Sequence, residues 1–221
     1  DVTSDHIGDI TNMIRSYIHR CEKDGVTLHT NHPVTLDFIK EQNPDAVIVA
    51  TGSKTLILPI EGIEDEAIIH ASDLLDGKRS AGKKALVVGG GMVGCETAAF
   101  LGEQEHEVSV IEFRDTVGAD VINEHRKFLM KDFEDYKINT ITSAKVCKFY
   151  PDGVEYESSD GVMHEERGYD SVVLAMGFRN YNPFAEQLET LGIEHYIIGD
   201  AVRARRALDA TKEAYDAAVQ I

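Results

Sequence analysis

Tryptophan is absent from the 221 residues, cysteine occurs three times, proline five times, and 22 basic residues face 39 acidic ones. Each scarcity closes a class of function. Cys21, Cys95 and Cys147 lie too far apart to form a framework of pairs, and no Cys-x-x-Cys occurs. A disulfide scaffold and a dithiol redox centre are therefore excluded, and a reducing cytoplasm is the expected compartment. A net charge of −17 repels phosphate backbones and anionic lipid, and no basic face carries interleaved aromatics, so neither nucleic acid nor a membrane surface is an expected partner. The longest apolar stretch free of Lys and Asp, Ala85 to Cys95, is about half of the ~20 residues that a membrane-crossing helix needs. No signal peptide opens the chain. With 43% apolar residues the sequence can still build packed cores, as one large domain or two small ones. It begins at Asp1 rather than Met and stops at Ile221 within a helical pattern, so a fragment of a longer protein is expected.

Apolar residues at 7, 10, 14, 17, 18 and 21 trace one stripe of a helix, with Gly25 as its stop. Val26 to Thr30 reads as a short strand, and Asp45 to Ala50 as a continuous apolar strand of the kind buried on both faces. Ser53 to Gly82, holding Pro59, Gly62, Gly77 and Gly82, reads as a linker and domain boundary with one helical patch at Ala71 to Leu75. A βαβ unit follows: strand Ala85 to Val88, helix Met92 to Glu103, strand Glu107 to Ile111. An amphipathic helix is expected over Val121 to Tyr136 and a strand over Ile138 to Thr142. The turn dipeptides Asp152-Gly153 and Asp160-Gly161 predict a small antiparallel meander. Beyond it come strand Ser171 to Ala175, helix Asn182 to Leu191, strand Tyr196 to Ile198 and a last helix from Leu208.

The strongest motif is Gly89-Gly90-Gly91-Met92-Val93-Gly94, set between a strand and a helix. Gly89 permits a tight turn, Gly91 lets a pyrophosphate approach the backbone, and Gly94 lets helix and strand pack closely. Free amides and the positive end of the helix dipole then bind the two phosphates without a basic side chain. Glu112 ends the next strand at about the 20-residue spacing at which an acid receives the adenosine ribose hydroxyls. Its carboxylate repels a 2′-phosphate and favours NAD(H), whereas Arg114, two residues on, leaves NADP(H) open.

The string Val-Val-Gly-Gly-Gly-Met-Val-Gly-Cys-Glu-Thr-Ala, with Ala50-Thr51-Gly52 before it and Ile198-Gly199-Asp200 after it, resembles the pyridine nucleotide-disulfide oxidoreductase superfamily. Within it, the C-terminal half of the old yellow enzyme-related NADH:flavin oxidoreductases is most similar, the group of 2,4-dienoyl-CoA reductase, enoate reductase and trimethylamine dehydrogenase. The likeness covers residues 7 to 221, and Gly-Asp-Ala-Val-Arg-Ala-Arg-Arg-Ala-Leu is its most group-specific part.

The resemblance implies an α/β fold: a Rossmann-like NAD(P)-binding domain over 66–177, inserted in an incomplete second Rossmann-like domain of FAD type formed by 1–65 and 178–221, with the small antiparallel meander. It implies that Glu96 lies near the nicotinamide, although a first-turn acid favoured by the helix dipole reads equally well. Thr51-Gly52 and Gly177 match the hinges between domains, or else plain strand-end turns. Asp200 matches the acceptor of a hydrogen bond from the flavin ribityl chain, and the helix from Leu208 would aim its N-terminus at the flavin's carbonyl edge.

The implied activity is NAD(P)H-dependent flavin reduction. Hydride passes to a flavin, and electrons go on to FMN and 4Fe-4S centres upstream that serve an unsaturated carbonyl or acyl substrate. The family's FAD-pyrophosphate glycine motif does not occur in this sequence, so the isolated chain is expected to be inactive and not to retain FAD tightly. Its partners would be the missing N-terminal flavin and barrel domains, and exposed apolar surface would favour a homo-oligomer. The alternative is a non-catalytic module holding ADP for structure. Glu105 stands where relatives often carry Gly, so the helix before it is expected to end without a left-handed cap, at a cost of about 1 kcal/mol. His29 and His32 lack further ligands at metal spacing, and Arg203, Arg205 and Arg206 are assigned no ligand.

Overall fold

The computed structural model describes residues 2–221, with side chains from residue 11 onward. In chain order it contains α1 (Val2–Lys23), α2 (Leu36–Gln42), β1 (Ala46–Val49), β2 (Ser53–Thr55), β3 (Ile68–His70), α3 (Ala71–Leu75), β4 (Lys84–Val88), α4 (Met92–Glu103), β5 (Glu107–Ile111) and α5 (Asn123–Asp135). There follow β6 (Asn139–Ile141), β7 (Ala144–Tyr150), β8 (Gly153–Ser158), β9 (Met163–Arg167), β10 (Ser171–Leu174), β11 (Phe178–Asn180), α6 (Ala185–Leu191), β12 (Glu194–Ile197) and α7 (Ala207–Ala218). Two compact units result, Asp1–Val47 with Glu186–Glu194, and Ile48–Ala185 with His195–Ile221.

In the smaller unit, α1 stops where expected, with Gly25 at φ 77° and the Val26 amide donating to the Cys21 carbonyl. Of its apolar stripe, Ile7 and Ile10 fall outside the described side chains, and Ile14, Tyr17 and Ile18 are about half exposed. The strand expected over Val26 to Thr30 is irregular chain, with Val26 and Leu28 also about half exposed. Its composition suits a strand, but a strand forms only where a neighbour takes up its backbone N–H and C=O groups. The Thr35 hydroxyl caps α2 by accepting from the Phe38 amide at 3.2 Å, and Asn43 closes it in a left-handed conformation. Ile39 and Leu188 are buried.

The larger unit is built on a parallel sheet in the order β3-β10-β4-β5-β6. Successive residues of its central strand serve opposite faces. Ala85 and Val87 join Cys95, Ala98 and Leu101 of α4, Leu129 and Phe133 of α5, and Leu74 of α3 in one apolar core. Leu86 and Val88 join Ala144, Phe149 and Val154 of the antiparallel β7-β8-β9 sheet in the other. Helices thus cover one face and the meander the other, which is why β4 and β10 read as unbroken apolar runs.

The parallel sheet and the meander agree with the sequence reading, and five details do not. Among the described residues β1 pairs with β12 alone, and Ile48 is 41% exposed instead of buried between two faces. Within the expected linker, β2 and β3 form: three residues each are too few for a period to show. β11 was hidden for the same reason. The last helix ends at Ala218, three residues before the end of the chain. Glu105 does take the left-handed conformation, at φ 62°. The His106 amide then donates to the Leu101 carbonyl and the Glu105 amide to that of Gly102, so α4 ends in the cap that the sequence reading denied it.

Candidate functional site

Strand β4 is where the order of the sheet reverses. The chain runs from β4 outward through β5 and β6, and then returns to β10 on β4's other side. In open α/β sheets ligands bind at the carboxyl ends of the strands at such a point, and all four glycines of the motif sit there.

Gly89 has φ 108°, its amide donates to the Ile111 carbonyl, and a Cβ on it would overlap the Ala175 carbonyl oxygen at the end of β10. Gly94, in the first turn of α4, packs so closely that a Cβ would overlap the Gly89 carbonyl oxygen. Gly91 is different. Extended and at the N-cap of α4, it meets no backbone at its Cβ position, only the Asp120 carboxylate at 3.2 and 3.5 Å. Gly91 brings no side chain to cap α4, and among the described residues no side chain accepts from its leading N–H groups, which remain open to an anion. Met92 is 39% exposed on the first turn, and Val93 lines a narrow crevice with Leu174, Ala175, Gly177 and Phe178.

Glu112 folds back over this turn. Its Oε2 accepts from the Gly90 amide at 2.5 Å and its Oε1 from the Arg114 amide at 2.8 Å. The two bonds hold the carboxylate beside the glycine turn, while Arg114 itself is exposed. Glu96 lies one turn into α4, half-buried, with its Oε1 3.8 Å from His125 Nε2 of α5. Burial raises its carboxyl above the ordinary carboxylate range, His125 opposes the shift, and Asp120 adds to it. Cys95 is fully buried, and its thiol is pushed up to about 12, chiefly by burial and then by the negative charge of Asp120; it packs as an apolar residue.

A second group gathers around Gly52, Gly177 and Asp200. Gly52 at φ 74° and Gly177 at φ 98° each precede a strand of the antiparallel β2-β11 ribbon, with open space where a Cβ would be. Conformation rather than crowding demands glycine at both. Thr51 Oγ1 donates to the Tyr181 carbonyl at 2.5 Å, and Tyr181 donates back to that of Gly52. Asp200 accepts from Ser53 Oγ at 3.3 Å and from the Arg205 amide at 3.1 Å. Gly199, at φ 60°, donates to Glu213 Oε2 of α7, whose other oxygen pairs with Arg205.

Sequence reading missed the segment that leans on the glycine turn. The Gly118 amide donates to the Gly90 carbonyl at 2.7 Å, and Arg126 of α5 binds Thr116 Oγ1 and the Val117 carbonyl, each at 3.0 Å. Gly118-Ala-Asp120 carries only a turn signal. Arg205 and Glu213 were missed as the pair that braces Asp200, since no spacing rule links a loop arginine to a helix eight residues on.

A parallel sheet with a glycine turn at its switch point, an uncapped helix behind that turn and an acid at the end of the next strand defines a dinucleotide-binding Rossmann-type fold. The comparisons with known proteins agree. Residues 5–202 match the family model described as pyridine nucleotide-disulphide oxidoreductase, and the chain belongs to that family. It is 31% identical over 211 residues to bilirubin reductase of Mediterraneibacter gnavus, covering 95% of this chain and 33% of the relative. It is 33% identical over 202 residues to NADH oxidase of Thermoanaerobacter brockii, covering 89% and 31%. A solved 2-naphthoyl-CoA reductase in complex with 2-naphthoyl-CoA superposes with a TM-score of 0.86 at 29% identity, over 96% of this chain and 32% of that one. The old yellow enzyme-related group named from the sequence stands on these matches. The chain spans about a third of the length of the curated relatives it matches.

Proposed function

We propose that this chain is the nucleotide-binding part of a larger flavin-linked NAD(P)H oxidoreductase, with NADH favoured over NADPH. The observation that carries the reading is the Glu112 carboxylate held on the Gly90 amide, beside an α4 N-terminus that no side chain caps. The diphosphate would lie over Gly89 to Gly94, and the adenosine ribose would exchange its hydroxyls for the amides that Glu112 now holds. Gly91, with no backbone at its Cβ position, fits that approach.

Residues 66–177 would form the nicotinamide-nucleotide domain, entered and left through the β2-β11 ribbon at Gly52 and Gly177, with 1–65 and 178–221 belonging to a flavin half. The positive φ of both glycines and the antiparallel pairing support that division. Glu96 would face the nicotinamide carboxamide, and Asp200, braced by Ser53 and Arg205, would take the flavin ribityl hydroxyl. Bound there, the nicotinamide supplies a hydride and the flavin accepts it. The protein's own residues hold, orient and shield, and the hydride step needs no general acid or base from them. An unsaturated acyl or carbonyl acceptor would be reached through FMN and 4Fe-4S centres elsewhere in the full protein; the name 2-naphthoyl-CoA reductase supports an acyl acceptor.

Calorimetric titration of the chain with NADH, NADPH and ADP tests this. Tighter binding of NADH than of the other two, lost in Glu112→Ala, is expected. Equal affinity for NADH and ADP would replace the redox reading with a structural nucleotide site, and absence of binding by all three would overturn both.

A further inference from the structure

Gly91 keeps a volume open in front of the α4 N-terminus, and that volume is not empty of charge. Asp120 Oδ2 stands 3.2 Å and Oδ1 3.5 Å from where a Cβ on Gly91 would be. The segment carrying Asp120 is tied down over the turn: Gly118 donates to the Gly90 carbonyl, and Val117 Cγ1 lies 2.8 Å from the Cβ position of Gly90. Arg126 grips Thr116 and Val117 from α5. A carboxylate has thus been delivered to the space that a diphosphate needs.

We infer that Asp120 is a resident anion of the nucleotide cradle, which a diphosphate must displace, and that it sets the affinity and the salt dependence of the site. The inference rests on the nucleotide-binding reading above. The open α4 amides and the helix dipole favour any anion, and the Asp120 carboxylate is the one that stands at the Cβ position of Gly91, the N-cap of α4. Its field reaches the surrounding groups, where it raises both the Cys95 thiol and the Glu96 carboxyl. An incoming diphosphate meets Asp120 as a like charge in the same space, so the carboxylate must rotate into solvent; being exposed, it can do so without breaking the core. The displacement is paid in affinity. Glu112 is a different case, since its carboxylate is held by two amides at the side of the turn and would serve the ribose rather than yield to the phosphates.

The test is calorimetric titration of the wild-type chain and Asp120→Asn with NADH, ADP and adenosine, at low and high ionic strength, with folding of both proteins verified by circular dichroism melts. Asparagine keeps the shape and removes the charge. Asp120→Asn is expected to bind NADH and ADP about tenfold more tightly at low salt, with the gain shrinking as salt rises and with adenosine unaffected. Unchanged or weaker binding of NADH and ADP by the variant, beside a wild type that binds them, overturns the inference and leaves the nucleotide site intact. An equal gain for adenosine also overturns it, because the effect would then lie in shape rather than charge. Failure of both folded proteins to bind NADH and ADP overturns the nucleotide reading itself and this inference with it.

Discussion

Glu112 Oε2 accepts a hydrogen bond from the Gly90 amide at 2.5 Å, across 22 residues of chain, and so joins the end of β5 to the turn after β4. On the proposed reading, one carboxylate serves both the turn and the ribose. Glu112→Ala removes an ionised acceptor worth about 1.5–3 kcal/mol to each charged hydrogen bond it makes. NADH affinity is expected to fall about tenfold to a hundredfold. Glu112→Gln, which lifts the repulsion of a 2′-phosphate, should bring NADPH closer to NADH. Titrations with both nucleotides read the two effects separately, and unchanged NADH affinity in Glu112→Ala would remove Glu112 from the site.

Two glycines of one motif serve different ends, and alanine separates them. A Cβ on Gly94 would overlap the Gly89 carbonyl oxygen, a backbone atom that cannot move without opening the turn. Gly94→Ala should cost about 3 kcal/mol or more in urea unfolding. A Cβ on Gly91 meets only the exposed Asp120 side chain at 3.2 Å, which can swing aside. Gly91→Ala should therefore stay within about 1 kcal/mol of wild type in stability while its affinity for NADH and ADP collapses. Equal destabilisation by the two changes would show that Gly91 also serves packing.

The motif was legible because its glycines, strand, helix and acid repeat a local geometry, and local geometry is what spacing encodes. The meander was legible from its two Asp-Gly turns, and the second core that it builds under Leu86 and Val88 followed from the apolar runs of β4 and β10. Elements of three residues, β2, β3 and β11, left no period to read. Asp120 and Arg126 were hidden for another reason. They act through a loop brought back onto Gly90 by tertiary contacts, and no pattern of residue types within that loop announces where it lands.

Glu105 carries the left-handed cap of α4 at φ 62°, a conformation that costs an L residue about 1 kcal/mol or more and costs glycine nothing sterically. Its carbonyl also accepts from Lys83 Nζ, a backbone contact that any residue keeps. Glu105→Gly should thus raise the unfolding free energy by about 1 kcal/mol, seen as a higher urea midpoint at unchanged slope. A loss of stability would mean that the Glu105 side chain contributes more than its backbone costs.

Glu213 links the stability of the β12-α7 region to acid. The Arg205 guanidinium, 2.5 Å away, and the Gly199 amide at 2.7 Å hold its carboxyl below the ordinary glutamate value of 4.5. A group whose folded pKa is depressed releases its proton more readily in the native state, so between 4.5 and that lower value the unfolded chain binds more protons. The stabilisation is therefore complete above the ordinary glutamate range and is lost as pH falls through the folded pKa. Glu213→Gln should lower the melting temperature at pH 7, and the gap between the two proteins should shrink as pH falls below 4.5, where the wild type begins to lose the same interaction. Asp152, held low by Arg167, and Asp160, held low by the Ser158 hydroxyl, add acid sensitivity of the same sign and persist in the variant. The difference between the two proteins as a function of pH thus isolates Glu213, and a difference that is constant from pH 3 to pH 7 would refute its coupling to Arg205 and Gly199.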